Sequence, residues 1–306
     1  MSQASADDAA GARRTASDSG RESTGHDGNL LRVATHNVNG IRAAVRRGYL
    51  DWVRRRDPDV ICLQEVRSPP ETIPEAVAHG YHLAYHEGDR AGRNGVAVLS
   101  RTKPLKVRSG FGSAEFDVQG RYVEVDLPGV TIGSLYLPKG ESDGDRLATK
   151  LRFMAEFSTY LSQVRRIARR AGREVLICGD YNIAPTTLDL KAWKTNQRSP
   201  GFLPVEREWI GTLLEPNGLV DVIRTLYPEQ AGPYTWWSWR GRSWDTDAGW
   251  RIDHHLATPA LAARAVCGGI DKAPSYAERI SDHAPVVVDY SVAGNELSDV
   301  DATMQA

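Results

Sequence analysis

The chain has 306 residues, 41% of them hydrophobic and 25% charged, with a formal net charge of -1 and a pI of about 6.7. These are ordinary globular values that permit a sizeable core and exclude an overall basic nucleic-acid binder, so any such contact must come from local patches. No apolar run approaches the ~20 residues that span a bilayer, no apolar signal region opens the chain, and the scattered Cys62, Cys178 and Cys267 fit reduced thiols; a cytoplasmic monomer with no membrane partner is expected.

Residues 1–28 are rich in Ala, Ser, Asp, Gly and Arg, with too little apolar surface to offset ordering entropy, and read as a disordered tail. Residues 293–306 read the same way, which leaves one folded domain over 30–292. Residues 31–37 open as a strand and enter the Asn39-Gly40 turn. Residues 46–56 suit a short helix with Leu50 and Val53 on one side and Arg54, Arg55 and Arg56 on the other. Two apolar runs then stop on acids, Asp59-Val-Ile-Cys-Leu-Gln-Glu65 and Glu174-Val-Leu-Ile-Cys-Gly-Asp180, and each reads as a buried strand. Between them, 71–79 suits a second short helix, 81–86 and 95–100 suit strands, and 121–127 with 130–137 forms a hairpin around Pro128-Gly129.

Over residues 145–170 the apolar period changes to three and four, through Leu147, Leu151, Met154, Phe157, Leu161, Val164 and Ala168, which is a long amphipathic helix. A further helix is expected over 204–216, and strands over 234–239, 251–257 and 285–290. Many strands with a few helices outside predict an α/β fold, a sandwich of two mainly antiparallel β-sheets flanked by helices.

An acid at a strand end sits half out of water, where its charge is costly unless a cation or proton donor is near. Glu65, Asp180, Asp253 and the pair Asp282-His283 occupy such places. Each has a plainer reading alone: a capping acid, an ordinary Gly179-Asp180-Tyr-Asn182 turn, a satisfied core histidine. Together they predict a divalent-metal site with a general acid–base pair. Glu65 is the natural hard-metal ligand, with Asn39 and Asp282 to complete a shell for Mg2+, which keeps several waters. Asp253 is placed to charge His283, Asp180 to orient or deprotonate water, and Asn182 to donate to developing charge.

Asp253-His254-His255 superficially matches a different phosphoesterase signature. In a strand, however, His254 points away from its neighbours, and the companion acidic motifs are missing. Trp236, Trp237, Trp239, Trp244 and Trp250 crowd together with Arg240, Arg242 and Arg251. Aromatics interleaved with arginines suit nucleic-acid stacking and phosphate contact, although most of these tryptophans would serve equally as core.

In this order, Asn37-Val-Asn39-Gly-Ile-Arg42, Leu63-Gln64-Glu65, Arg93-Asn94-Gly95-Val96-Ala97, Tyr136-Leu-Pro-Lys-Gly-Glu141, Gly179-Asp180-Tyr-Asn182-Ile-Ala-Pro185, Phe202-Leu-Pro-Val-Glu-Arg-Glu-Trp209, Trp250-Arg-Ile-Asp253 and Ser281-Asp282-His283-Ala-Pro285 resemble the exonuclease III type of AP endonuclease, within the endonuclease/exonuclease/phosphatase superfamily. The resemblance implies a four-layered α/β sandwich and a DNA repair phosphodiesterase that cuts 5′ to abasic sites in double-stranded DNA, with 3′–5′ exonuclease action at 3′ ends.

It further implies that Glu65 binds Mg2+ or Mn2+ beside Asn39 and Asp282, that Asp180 sets the attacking water, and that Asn182 and Tyr136 bond the scissile phosphate. Asp253 and His283 would neutralise that phosphate, with either Asp180 or His283 as proton acceptor, and Asn37 would support the cluster. Trp236, Trp250 and Ile252 would line the pocket of a flipped abasic sugar, with Arg251 and Lys139 on the DNA side. Three positions depart from the pattern. His36 stands where relatives tend to carry an aromatic, Lys139 replaces an amide-bearing residue near the phosphate track, and Trp250 looks more like the eukaryotic endonucleases.

Overall fold

The computed structural model describes residues 30–216 and 218–292, so the tails expected at 1–28 and 293–306 lie outside the described residues. In chain order the elements begin β1 (Leu30–Asn37), α1 (Ile41–Arg46), α2 (Tyr49–Arg56), β2 (Val60–Gln64), β3 (His82–His86) and β4 (Val96–Ser100). They continue with β5 (Lys106–Ser109), β6 (Tyr122–Leu127), β7 (Val130–Tyr136), α3 (Gly144–Arg170), β8 (Glu174–Asp180) and α4 (Pro204–Leu213). Last come β9 (Val220–Asp221), α5 (Val222–Leu226), β10 (Asp253–Ala257), α6 (Pro259–Ala262), β11 (Ala265–Ile270) and β12 (Val286–Ser291).

The strands form two 6-stranded sheets, ordered β11-β12-β1-β2-β4-β3 and β5-β6-β7-β8-β10-β9. Pairing is antiparallel except for β1 with β2 and β7 with β8. The two-residue alternation of a strand explains why the acid-terminated runs are apolar throughout. In β2, Val60 and Cys62 face the core between the sheets while Ile61 and Leu63 meet Tyr49 and Trp52 of α2. In β8, Leu176 and Cys178 face inward while Val175 and Ile177 meet Phe153, Phe157 and Leu161 of α3. Helix, sheet, sheet and helix therefore stack as the four expected layers.

Several local expectations change. Gly48, at φ 96, ends one helix and starts another, and Tyr49 and Trp52 are buried more deeply than Leu50 and Val53. The helix expected over 71–79 is two 3-10 turns, Pro70–Thr72 and Glu75–Val77. Pro74 lacks an N–H and steers Ile73 away from helical backbone. Residues 234–239 form no strand; Trp236 makes isolated bridges to Trp250 and His283, held between two partners rather than in one ladder. The edge strands β5 and β11 were not foreseen, since one is mostly exposed and the other carries Gly268 and Gly269. On the buried face of α3 sits one charged residue, Lys150, with 0% exposure.

Candidate active site

Strand register gathers the acids at one rim. β1 and β2 run parallel with Asn37 opposite Gln64, so Glu65 emerges beside Asn37. Parallel β7 and β8 set Tyr136 opposite Asp180, and antiparallel β10 sets Asp253 opposite the same residue. The Trp236–His283 bridge brings the segment ahead of β12 to this edge. Asn37 joins the contributions of the two sheets: its Nδ2 donates to Glu65 Oε1 at 3.0 Å and to Asp180 Oδ2 at 2.9 Å. Asn39, Glu65, Arg67 and Asn182 have φ of 47, 51, 53 and 49°. Non-glycine residues seldom enter this left-handed region, and those that do concentrate at functional sites.

On one side lies a cluster of two carboxylates and an imidazole. His283 Nδ1 donates to Asp253 Oδ2 at 2.9 Å, and Nε2 lies 3.8 Å from Asp180 Oδ2. Burial opposes charging of this imidazole, but the carboxylates of Asp253 and Asp180 outweigh it and hold His283 up at about 10. Burial raises Asp180 to about 7, with His283 opposing and Asp253 and Glu65 adding to the rise. Asp180 Oδ1 accepts from the Asn182 N–H at 2.8 Å. Burial, together with Glu65 and Asp180, raises the Tyr136 phenol well above its ordinary value, so it remains a hydrogen-bond donor.

On the other side lies an oxygen set facing a cation. Asn39 Nδ2 donates to Asp282 Oδ1 at 2.8 Å, and Trp236 Nε1 to Asp282 Oδ2 at 3.1 Å. Burial pushes Asp282 up, but the His283 charge and these two bonds prevail and keep it below the usual carboxylate range. Arg67 Nη1 donates to Asn39 Oδ1 at 2.6 Å, and Nη2 pairs with Glu65 Oε2. Of the oxygens expected to hold a metal, those of Glu65 and Asn39 thus already accept a positive group, whereas Asp282 accepts from neutral donors. Glu65, Asp180, Asp253 and Asp282 outnumber the cations His283, Arg67 and Arg121, and Asp253 Oδ1 is buried without a donor. A hard divalent cation fits such an oxygen-rich, net-acidic set.

Asp180, Asp253 and His283 also bring ligand-type atoms within 4.8 Å of one another and could hold a metal ion. The oxygens of Glu65, Asn39 and Asp282 offer a second set of hard donors beside this group.

Beside His283 stands an apolar wall. The Trp236 and Trp250 rings meet edge to face at 6.3 Å, and Trp236 lies 6.5 Å from the His283 ring. Ile252 packs with them over Ala184, Leu190 and Phe202, and Lys139 Nζ lies 5.9 Å from the Trp236 centroid. Arg251 does not join this surface, contrary to expectation. It is 1% exposed, and its guanidinium donates to Asp189 Oδ1 at 2.7 Å and to Asp221 Oδ1 and Oδ2 at 2.9 and 2.7 Å. Extended backbone turns Arg251 away from Trp250 and Ile252 on either side, so it braces the floor instead of meeting DNA. His254 likewise turns from Asp253 and meets Ile183 O at 2.9 Å.

The other aromatics divide. Trp237 and Trp244 are core, 4.7 Å apart, whereas Trp239 is 39% exposed. Arg279 lies between Trp239 and Tyr276, 3.4 Å from each centroid, with Arg47 5.4 Å from Trp239. His36 fills its place as a neutral ring; burial and the His283 charge lower it to about 4, and it packs against Tyr49 and Trp52. Three site residues escaped the sequence reading. Arg67 lies just beyond the Leu63-Gln64-Glu65 motif; its only signal was a basic residue two places after a strand-end acid. Arg121 lies 5.1 Å over the Tyr136 ring. Thr235 Oγ1 accepts from the Ile252 and Asp253 N–H groups at 3.1 Å each, and nothing in its sequence setting marks it.

The description of one protein family, Endonuclease/Exonuclease/phosphatase family, matches this chain over residues 34–283. The DNA repair nuclease APEX1 of Danio rerio is 34% identical over 262 residues, covering 84% of this chain and 81% of that protein. The exodeoxyribonuclease of Bacillus subtilis (strain 168) is 31% identical over 258 residues, covering 84% and 98%. Among solved structures, the 3′ phosphatase NExo from Neisseria bound to a product DNA hairpin is similar with a TM-score of 0.78 at 30% identity, covering 85% of this chain and 99% of that one.

Proposed function

This chain belongs to the Endonuclease/Exonuclease/phosphatase family, and from that premise we propose that it is a Mg2+-dependent DNA repair phosphodiesterase. It hydrolyses the backbone of duplex DNA 5′ to abasic sites, leaving a 3′-hydroxyl and a 5′-deoxyribose phosphate, and degrades duplex DNA 3′ to 5′. The domain over 30–292 acts as a monomer in the cytoplasm. The observation that carries this reading is the buried 2.9 Å Asp253–His283 contact set 3.8 Å from Asp180. It pairs a charged imidazole with a carboxylate that titrates near neutrality.

In this reading Asp180, held by the Asn37 amide and the Asn182 backbone N–H, takes the proton of the attacking water. Its value of about 7 suits a base working at neutral pH. His283 Nε2 offers its proton to a phosphate oxygen and offsets charge there. Tyr136 donates its hydroxyl, and Asn182 Nδ2, which gives one hydrogen to Leu137 O at 2.9 Å, has a second for the phosphate. A divalent ion at Glu65, Asn39 and Asp282 would supply stabilisation of charge on the phosphate in flight. Trp236, Trp250 and Ile252 offer apolar walls to a flipped sugar. A sugar without its base is small and easily extruded, and the walls exclude one that still carries a base. Exposed Arg47, Trp239 and Tyr276, backed by the buried Arg279 between the two rings, supply the local cation–aromatic surface that the net charge of -1 does not.

The test is purified protein with an abasic duplex, a nicked intact duplex and a phosphoinositide, each with and without chelator. Chelator-sensitive incision 5′ to the abasic site is expected. Turnover of the phosphoinositide alone would overturn the substrate class, and binding without turnover would mark a non-catalytic relative. Asp180→Asn is expected to lose about 10²–10³ in turnover; wild-type incision by that variant would remove Asp180 from its role.

A further inference from the structure

Away from the reacting groups, Lys150 is a fully buried cation on α3. Its Nζ donates to Glu206 Oε1 at 2.6 Å and to Asn182 O at 3.0 Å, with both charged side chains 0% exposed. The other Glu206 oxygen accepts from the Gly201 N–H at 2.6 Å and the Leu203 N–H at 3.0 Å. The Lys150 stem lies against the loop after β7, since a Cβ on Gly140 would stand 2.8 Å from its Cδ. A Cβ on Gly201 would stand 2.9 Å from Asn182 O and 3.5 Å from the Trp250 ring. One ion pair therefore touches three loops: the one that follows Tyr136, the one that carries Asn182, and the one that backs Trp250.

We propose that the buried Lys150–Glu206 pair is a positioning device for the hydrolytic reaction, fixing Asn182 and the Trp250 wall relative to Tyr136 from behind the site. This rests on the hydrolase reading given above. Asn182 is the pivot. It holds a left-handed φ of 49°, its N–H is committed to Asp180 and its side chain to Leu137 O, and Lys150 takes its carbonyl. All of the backbone groups that could let it relax are thereby engaged. Glu206 also caps α4 through the Leu203 N–H, a contact that an uncharged Gln oxygen can keep. Replacing a buried ion pair by uncharged groups of similar volume is often neutral or stabilising, whereas moving a reacting group by about 1 Å can cost ~10²-fold in rate. A pair kept for positioning and one kept for stability thus separate in experiment.

The variants are Lys150→Met and the uncharged pair Lys150→Met/Glu206→Gln, made in the full chain. Readouts are thermal midpoint, kcat and KM on abasic duplex, and hydrogen exchange at the Gly201 and Leu203 amides. For the uncharged pair the midpoint is expected to stay within a few degrees of wild type, and kcat to fall on the order of 10²-fold. KM should stay within about threefold and loop exchange should accelerate by about tenfold or more. A kcat within about threefold of wild type, or a loss explained by the unfolded fraction, overturns the proposal; so does failure of both variants to fold, which assigns the pair to stability. If the wild-type protein does not incise abasic DNA, the hydrolase reading fails by itself. The exchange measurement still decides whether the pair clamps the loops.

Discussion

Asp253→Asn keeps the size of the side chain and removes its charge, leaving His283 with Asp180 and the weaker influence of Asp282 as anionic neighbours. In the fold His283 sits at about 10 against an ordinary 6.5. At about 1.4 kcal/mol per pH unit, that gap is a preference for the imidazolium of roughly 5 kcal/mol, most of it supplied by carboxylates against burial. Because the folded value lies above the unfolded one, this contribution is fully present below 6.5 and is lost as pH rises through about 10. In the variant, burial prevails and the imidazole is expected to titrate at or below about 6.5. At pH 7.5 it would be neutral, and turnover on abasic duplex should drop by about 10²–10³. Lowering the pH to recharge the imidazole should restore little, because Asp180, at about 7, is then protonated and no longer accepts the proton of water. NMR titration of the His283 ring beside single-turnover incision measures both quantities. A variant imidazole still titrating above about 9 would refute Asp253 as the source of the charge, and unchanged turnover with the midpoint lowered would refute the need for that charge in hydrolysis.

Other outcomes follow from the same geometry. Glu65→Gln should weaken Mn2+ binding, read by electron paramagnetic resonance, and lower turnover by about 10²–10³, since half of the anionic oxygen set is lost. Arg67→Ala removes a cation that competes for Glu65 and Asn39, so Mn2+ should bind about tenfold tighter in calorimetry; weaker binding would show that Arg67 organises the oxygens instead of occupying them. Arg251→Met leaves Asp221 buried without its guanidinium, while Asp189 keeps Arg224 and Thr186, and urea denaturation should show a loss of about 3–5 kcal/mol. DNA affinity of the folded variant should stay unchanged in filter binding, as expected for a guanidinium spent inside the protein.

The sheets were legible because strands buried on both faces advertise themselves as continuous apolar runs. Val60 to Gln64 and the run into Asp180 needed no partner to be recognised. Long α3 was legible for the complementary reason, a sustained helical period. Edge strands such as β11 carry no such signal: pairing on one side only leaves Val266 60% exposed. The acids were found because a charge ending an apolar run is conspicuous. Arg251 was misplaced because composition counts an arginine among tryptophans without saying which way alternation turns it. Thr235 and the Lys150–Glu206 pair stayed hidden for another reason, since their partners lie far away in sequence and only folding makes them neighbours.

The carboxamide of Asn37 reaches one acid from each of the two sheets, Glu65 beyond the end of β2 in the first and Asp180 in the second. Any slippage of one layer over the other, whether by heat, pressure or a swollen side chain between them, must stretch those two bonds. A core substitution well removed from the chemistry, at Cys62 or Cys178 for example, should therefore register as altered turnover while the protein still melts normally. The seam behaves as a gauge of alignment, with a single amide as its needle.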